Sequence, residues 1–247
     1  MKNLAKIGLI IILGVCTSFY PNNTPNQLKI DFKHLVGNQP LVLNNTFYTN
    51  IHGEKFKITK FNYYISNIRL KKANGRWWAQ PNSYYLVKSN QPASQTITIP
   101  NIPRGKYQEI SFLIGVDEKR NTSGAQEGAL DPANGMFWSW NTGYVFLKLE
   151  GETLVVDQGK TVTKSFRYHS GGFNFKYNNI KKKQLQLNAA PLQIGAKQTS
   201  SLKVKVDLQK FFGGVKPVKI HQNYRLMSPA RVAKVANNYS QTFTWLK

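Results

Sequence analysis

Leu28-Lys29-Ile30-Asp31-Phe32-Lys33-His34 alternates large apolar and polar residues with period two, and that pattern decides how the whole chain is read. Successive side chains of an extended strand point to opposite faces, so Leu28, Ile30, Phe32 and His34 share one face and the charged residues the other. The alternation recurs in Phe56/Ile58, Ile110/Phe112/Ile114/Val116, Val145/Leu147/Leu149, Leu185/Leu187 and Leu202/Val204/Val206/Leu208. Turn pairs such as Asn74-Gly75, Asn134-Gly135 and Gly171-Gly172 separate several of these runs. Many half-buried strands with almost no helical period predict an all-β fold, a two-sheet antiparallel β-sandwich. The exception is the C-terminus. Ser228-Pro229 offers a cap followed by Pro at the first helical position, and Val232, Val235, Ala236, Tyr239 and Phe243 fall at helical spacing, which predicts one short C-terminal amphipathic helix.

No Pro/Gly/Ser-rich stretch divides the interior, so residues 28–247 read as a single domain. Residues 1–16 have the layout of an export signal: Lys2 and Lys6, then an apolar run from Ile7 to Val15 that is about half of the ~20 residues a spanning helix needs. Residues 17–27, polar and rich in Pro and Asn, read as a disordered spacer. Leu13-Gly14-Val15-Cys16 resembles a lipoprotein signal in which Cys16 is acylated; the other route is ordinary cleavage shortly after Ser18. The expected location is therefore outside the cytoplasm, as a periplasmic protein, an outer-membrane lipoprotein or a secreted one. Cys16 is the only Cys, so no intramolecular disulfide forms and the apolar core must hold the fold.

The formal charge is +23, and about +21 once Lys2 and Lys6 have been removed with the signal. A balance this basic attracts anionic partners. No basic helix or nucleic-acid module stands in the sequence, and an exported protein rarely meets nucleic acid, so an anionic envelope surface is the expected partner. The competing reading is that Lys-rich strands present a solvated face.

Catalytic signatures are missing: there is no nucleophile elbow, no His-Glu-x-x-His, no phosphate-cradling loop and no paired Cys, which points away from an enzyme. Four histidines remain, His34, His52, His169 and His221. His34 ends the inward stripe of the first strand. His169 lies on the face opposite Phe166 and Tyr168, just before the double Gly, at a sheet rim where ligands are common. Either imidazole can ligate a metal or simply bond to a neighbouring polar group. The densest feature is Met136-Phe137-Trp138-Ser139-Trp140, which reads as core packing or as an aromatic platform for a ligand.

The run from Gly128-Ala129-Leu130-Asp131-Pro132 through Gly135-Met136-Phe137-Trp138-Ser139-Trp140-Asn141-Thr142-Gly143-Tyr144 to Lys148-Leu149-Glu150-Gly151 resembles the central motif of the MbnP-like domain family. Tyr63-Tyr64-Ile65-Ser66-Asn67-Ile68, His169-Ser170-Gly171 and Met227-Ser228-Pro229 resemble it too, in the same order. The resemblance implies a β-sandwich that binds copper in the cell envelope through histidines, here His34 and His169. It also implies, in some members, a tryptophan oxidised to kynurenine by a partner dihaem enzyme of the peroxidase type. Trp138 and Trp140 stand at the tryptophan positions, with Met136 as a further soft donor. In some copper-binding relatives a second histidine lies two residues from the modified tryptophan; here those positions are Met136 and Trp140. The alternative function is a metal-free basic adhesion or assembly module.

Overall fold

The structure, a computed structural model, describes residues 26–124, 126–139, 142–174 and 176–246. The export segment, Cys16, nearly all of the 17–27 spacer and Trp140 lie outside the described residues. Within the spacer, Asn26 already exchanges backbone and side-chain bonds with Ile102 and Lys197, and Gln27 opens the first strand.

From the N-terminal side come β1 (Gln27–Val36), β2 (Gln39–Pro40), β3 (Tyr48–Thr49), the long β4 (Lys55–Lys72), β5 (Trp77–Ala79), β6 (Tyr84–Lys88), β7 (Thr96–Ile99) and β8 (Gly105–Ile114). A short helix, α1 (Glu118–Asn121), and two 3-10 turns lead to β9 (Phe137–Ser139), β10 (Gly143–Asp157) and β11 (Lys160–Gly171). Then follow β12 (Lys181–Gln186), β13 (Leu192–Ile194) and β14 (Thr199–Asp207). The C-terminal stretch holds α2 (Gln209–Phe212), β15 (Arg225–Leu226), α3 (Pro229–Ala233), α4 (Ala236–Gln241) and β16 (Phe243–Leu246).

The smaller sheet runs β16-β14-β1-β2, with β7 also on β1; the larger runs β12-β8-β4-β10-β11-β15, with shorter strands on β4, β8 and β10. The protein is all-β, but the sheets are mixed and not purely antiparallel. β1 pairs with β14 in parallel, Ile30 beside Leu202 and His34 beside Val206, and β15 lies parallel to β11. Antiparallel order is imposed by a hairpin turn, and β1 and β14 are joined by nearly the whole chain, so no turn sets their direction.

The inward faces of both sheets share one core. Phe32 of β1 meets Tyr63 of β4 at 6.0 Å, Phe112 of β8 at 6.3 Å and Phe243 of β16 at 6.4 Å, all edge to face. β4 alternates at its ends but is buried on both faces from Phe61 to Ser66. Tyr63 fills the main core, while Tyr64 points the other way into a second apolar cluster with Val116, Leu130, Met136, Tyr144, Val145 and Phe146 on the outer face of the larger sheet.

Two short helices replace the single helix expected at the C-terminus. Ser228 does cap α3, its Oγ accepting from Arg231 N at 3.4 Å. The helical path breaks at Lys234 and Val235, and α4 restarts so that buried Asn238 donates to the carbonyls of Phe211 and Lys216 and accepts from Lys216 N. Three bonds from one buried amide outweigh the continuity of a single helix. Phe243, at helical spacing in the sequence, belongs to β16 opposite Val206.

Candidate metal centre

Strand parity fixes where each candidate side chain goes. β10 pairs with β4 through Leu147–Tyr63 and Leu149–Phe61, and with β11 through Leu149–Tyr168, all inward. The intervening residues Lys148, Glu150, Arg167 and His169 therefore stand on the outer face. His34 packs against the inward rings of Phe61 and Tyr63, at 5.2 and 5.6 Å. His34, on β1 of the smaller sheet, thus packs against the inward face of the larger sheet, whereas His169 stands on its outer face, and the structure does not bring them together.

His34 is enclosed. Its Nε2 lies 2.9 Å from the Tyr63 hydroxyl, and burial lowers its pKa to about 4, so the ring is neutral near pH 7. The same burial drives the Tyr63 phenol well above its ordinary range, so the hydroxyl stays protonated. The imidazole is packed edge to face against two aromatic rings in the core and has the Tyr63 hydroxyl as its polar contact.

His169 sits in a different setting. Its Nε2 is 2.6 Å from Glu150 Oε1, and Glu150 Oε2 lies 3.9 Å from Lys60 Nζ. Burial lowers the imidazole below its usual range, with the Glu150 hydrogen bond pulling the other way. Lys148, directly across the ladder, is also lowered by burial and reaches the carbonyl of Gly135 at 2.5 Å. A neutral His169 beside a carboxylate has one tautomer open to it. The carboxylate only accepts, so Nε2 carries the proton and Nδ1 keeps the lone pair. That is how metal-binding imidazoles are oriented by an outer carboxylate.

The aromatic motif lies next to it. A Cβ on Gly171, two residues beyond His169 on the same face, would come within 2.6 Å of Trp138 Cζ3 and 2.6 Å of the Tyr144 carbonyl oxygen. The indole therefore rests on bare backbone. Trp138 and Phe137 pack against the outer apolar cluster that includes Met136 and Tyr144; the Phe137 and Tyr144 ring centroids are 5.0 Å apart, and the carbonyl of buried Met136 accepts from Val145 N at 2.9 Å. On the other side of His169, β15 pairs Arg225 with Arg167 and Leu226 with Tyr168, which puts half-buried Met227 at the next register position.

Three residues outside the expected ligand set hold this surface. Asn121, buried, donates to the carbonyls of Val116 and Asp117 and accepts from Tyr144 N, pinning the α1 segment to the start of β10. Tyr64 and Tyr144 donate to the carbonyls of Ala129 and Leu130 and hold the 3-10 turns in place. The acidic side chains of that loop are engaged in turns: Asp117 caps α1 and accepts from Tyr84 at 2.5 Å, and Asp131 accepts from Ala133 N. Among the described residues no three His, Cys, Asp or Glu gather as a metal cage. His52 bonds the Phe212 carbonyl and His221 lies 3.7 Å from buried Glu54, both away from this surface.

The family model described as MbnP matches residues 25–229. A solved structure, MbnP from Methylosinus trichosporium, is similar in fold with a TM-score of 0.52; it is 16% identical over 76% of this chain and 78% of its own. No curated protein matches the sequence.

Proposed function

Because the chain belongs to the MbnP family, we propose that it is a copper-binding protein of the cell envelope that performs no catalytic turnover, with His169 as its imidazole ligand. The observation that supports this reading is the Glu150–His169 pair. It leaves a neutral imidazole with its Nδ1 lone pair free, on the face that also carries Trp138 and the register position of Met227. Copper, when bound, is a Lewis acid suited to imidazole and thioether donors. One imidazole is too few to hold it, so the centre draws on neighbouring residues. Met227 offers a thioether. Trp138 offers nothing as an indole, whose N–H only donates, but opened to kynurenine by a partner dihaem enzyme of the peroxidase type it gains an aniline nitrogen and a ketone oxygen.

His34 we assign to the core, and the two sheets we read as the leaves of a sandwich whose larger leaf carries the site on its outer face. Export, with either acylation at Cys16 or cleavage after Ser18, puts the protein in the periplasm, on the outer membrane or outside the cell. The test is calorimetric titration of Cu(I) and Cu(II) into protein from the native host and into its His169→Ala variant. Affinity should fall more than ~100-fold in the variant, beyond the ~10–100-fold typical of losing an outer-shell partner. Equal affinity for both proteins removes this reading.

A further inference from the structure

The described residues expose six large apolar side chains, and five of them, Val156, Ile51, Val215, Val42 and Phe47, lie at one end of the fold. The topology brings them there. β3 pairs with the start of β4, Tyr48 beside Phe56, so the turn carrying Ile51 closes that end. Gly213 abuts it, since a Cβ there would lie 3.0 Å from the Ile51 side chain, and Val215 follows two residues later. Thr153 of β10 pairs with Phe56 and donates to the Lys55 carbonyl, beyond which the β10–β11 hairpin continues alone to Val156. Four residues past Thr153, at about 3.4 Å each, carry the hairpin tip about 14 Å beyond its last partner in β4. Val156, Ile51 and Val215 are 76%, 67% and 66% exposed, each at a loop or hairpin tip.

The charge around these tips is predominantly positive. Lys55, Lys160, Lys216 and Lys219 are exposed there and have no carboxylate partner among the described residues. The acids at this end are spent: Asp157 faces Lys164 at 3.7 Å, Glu152 faces Lys57 at 3.0 Å, and Glu54 is buried in bonds to Asn50, Ile220 and His221. Isolated exposed apolar residues are ordinary on a surface. Three separate tips that each present a β-branched side chain past a ring of unpaired ammonium groups are not a scatter. Such tips enter the acyl boundary of a bilayer while the lysines meet anionic headgroups, each lysine contributing about 1 kcal/mol near a charged membrane.

We propose that this end docks on the surface of an anionic phospholipid bilayer, with Ile51, Val156 and Val215 as the inserted residues. No helix among the described residues is long and apolar enough to cross a membrane. Lys148, which faces His169, lies eight residues along β10 from Val156, about 26 Å away, so docking leaves the candidate metal centre in solvent. The proposal does not depend on copper.

The test is co-sedimentation of the mature chain, with Cys16 cleaved off so that no acyl chain contributes, with vesicles of phosphatidylcholine alone or mixed with phosphatidylglycerol. The protein should sediment with the mixed vesicles only. Ile51→Ser/Val156→Ser/Val215→Ser should weaken binding at least tenfold with an unchanged thermal midpoint. Lys216→Glu/Lys219→Glu should do the same, while Lys29→Glu/Lys106→Glu at the other end changes it less than threefold. Failure to sediment with the mixed vesicles at low salt, equal binding by the serine triple variant, or equal loss from both lysine pairs would overturn the proposal. So would capture by a soluble anionic polysaccharide without any vesicle binding.

Discussion

Replacing Gly171 by Ala tests the seat on which the aromatic motif rests. The added methyl would lie 2.6 Å from Trp138 Cζ3, 3.2 Å from Cε3 and 2.6 Å from the Tyr144 carbonyl oxygen, against an optimum of about 3.5–4.0 Å for carbon contacts. The carbonyl belongs to β10, held through the Val145–Gly171 pair, so relieving that contact shifts backbone, whereas the indole can swing aside. Forcing a methyl into such a contact costs about 1–3 kcal/mol. In a domain of this size each kcal/mol lowers the midpoint by about 2–4 °C, so the variant should melt roughly 2–12 °C below wild type. The displaced indole, half-buried in the native protein, should also red-shift its emission. The decisive assay is a cycle with Trp138→Phe, whose smaller ring leaves room for the methyl, so the penalty should shrink by about 1 kcal/mol or more. An Ala penalty of the same size in both backgrounds would refute the seating of Trp138 on Gly171.

Glu150→Gln replaces an acceptor-only carboxylate by an amide that can also donate, so the His169 tautomer is no longer fixed, and copper affinity should drop about 10–100-fold while circular dichroism stays native; an unchanged affinity would exclude that orienting role. The buried His34 ring should make the protein acid-labile. Its folded pKa of about 4 is below the 6.5 of the unfolded chain, so its contribution is complete above pH 6.5 and is lost as pH falls from 6.5 through 4, in total about 3 kcal/mol. Thermal melts between pH 7 and pH 4 should show that loss in wild type and a flatter profile in His34→Gln. Asn121→Ala strands the buried Tyr144 N–H and two carbonyls and should cost about 2–4 kcal/mol, read by denaturant unfolding; a loss below 1 kcal/mol would show that water replaces the amide. Peptide mass spectrometry of protein from the native host should find added oxygen and lost carbon at Trp138 or Trp140, and two intact indoles in copper-loaded native protein would remove the kynurenine ligand.

Much of the β architecture was legible because alternation is local. The runs at Leu28–His34, Ile110–Ile114 and Leu202–Val206 became β1, β8 and β14 with the expected residues inward. Their pairing was not legible, since nothing near Phe32 tells it that Val204, far along the chain, will lie beside it in parallel. The C-terminal helix was right at its cap and wrong in its length, because the break serves a bond from Asn238 to α2 that has no trace in helical spacing. The site was half legible. The parity of His169, opposite Phe166 and Tyr168, already separated it from an inward His34, but only the strand pairing shows that the larger sheet stands between them, His34 reaching its inner face from β1 of the other sheet. The role of Gly171 was hidden behind its neighbour: a double Gly reads as a turn, whereas Gly171 ends β11 and is small because an indole lies on it.

The central claim, copper on the outer face at His169, is tested most directly by copper K-edge X-ray absorption on the loaded native protein and two variants. Imidazole scattering should be present in wild type, persist in His34→Gln and vanish in His169→Ala. Imidazole scattering that survives in His169→Ala and disappears in His34→Gln would place the metal in the core and contradict the account.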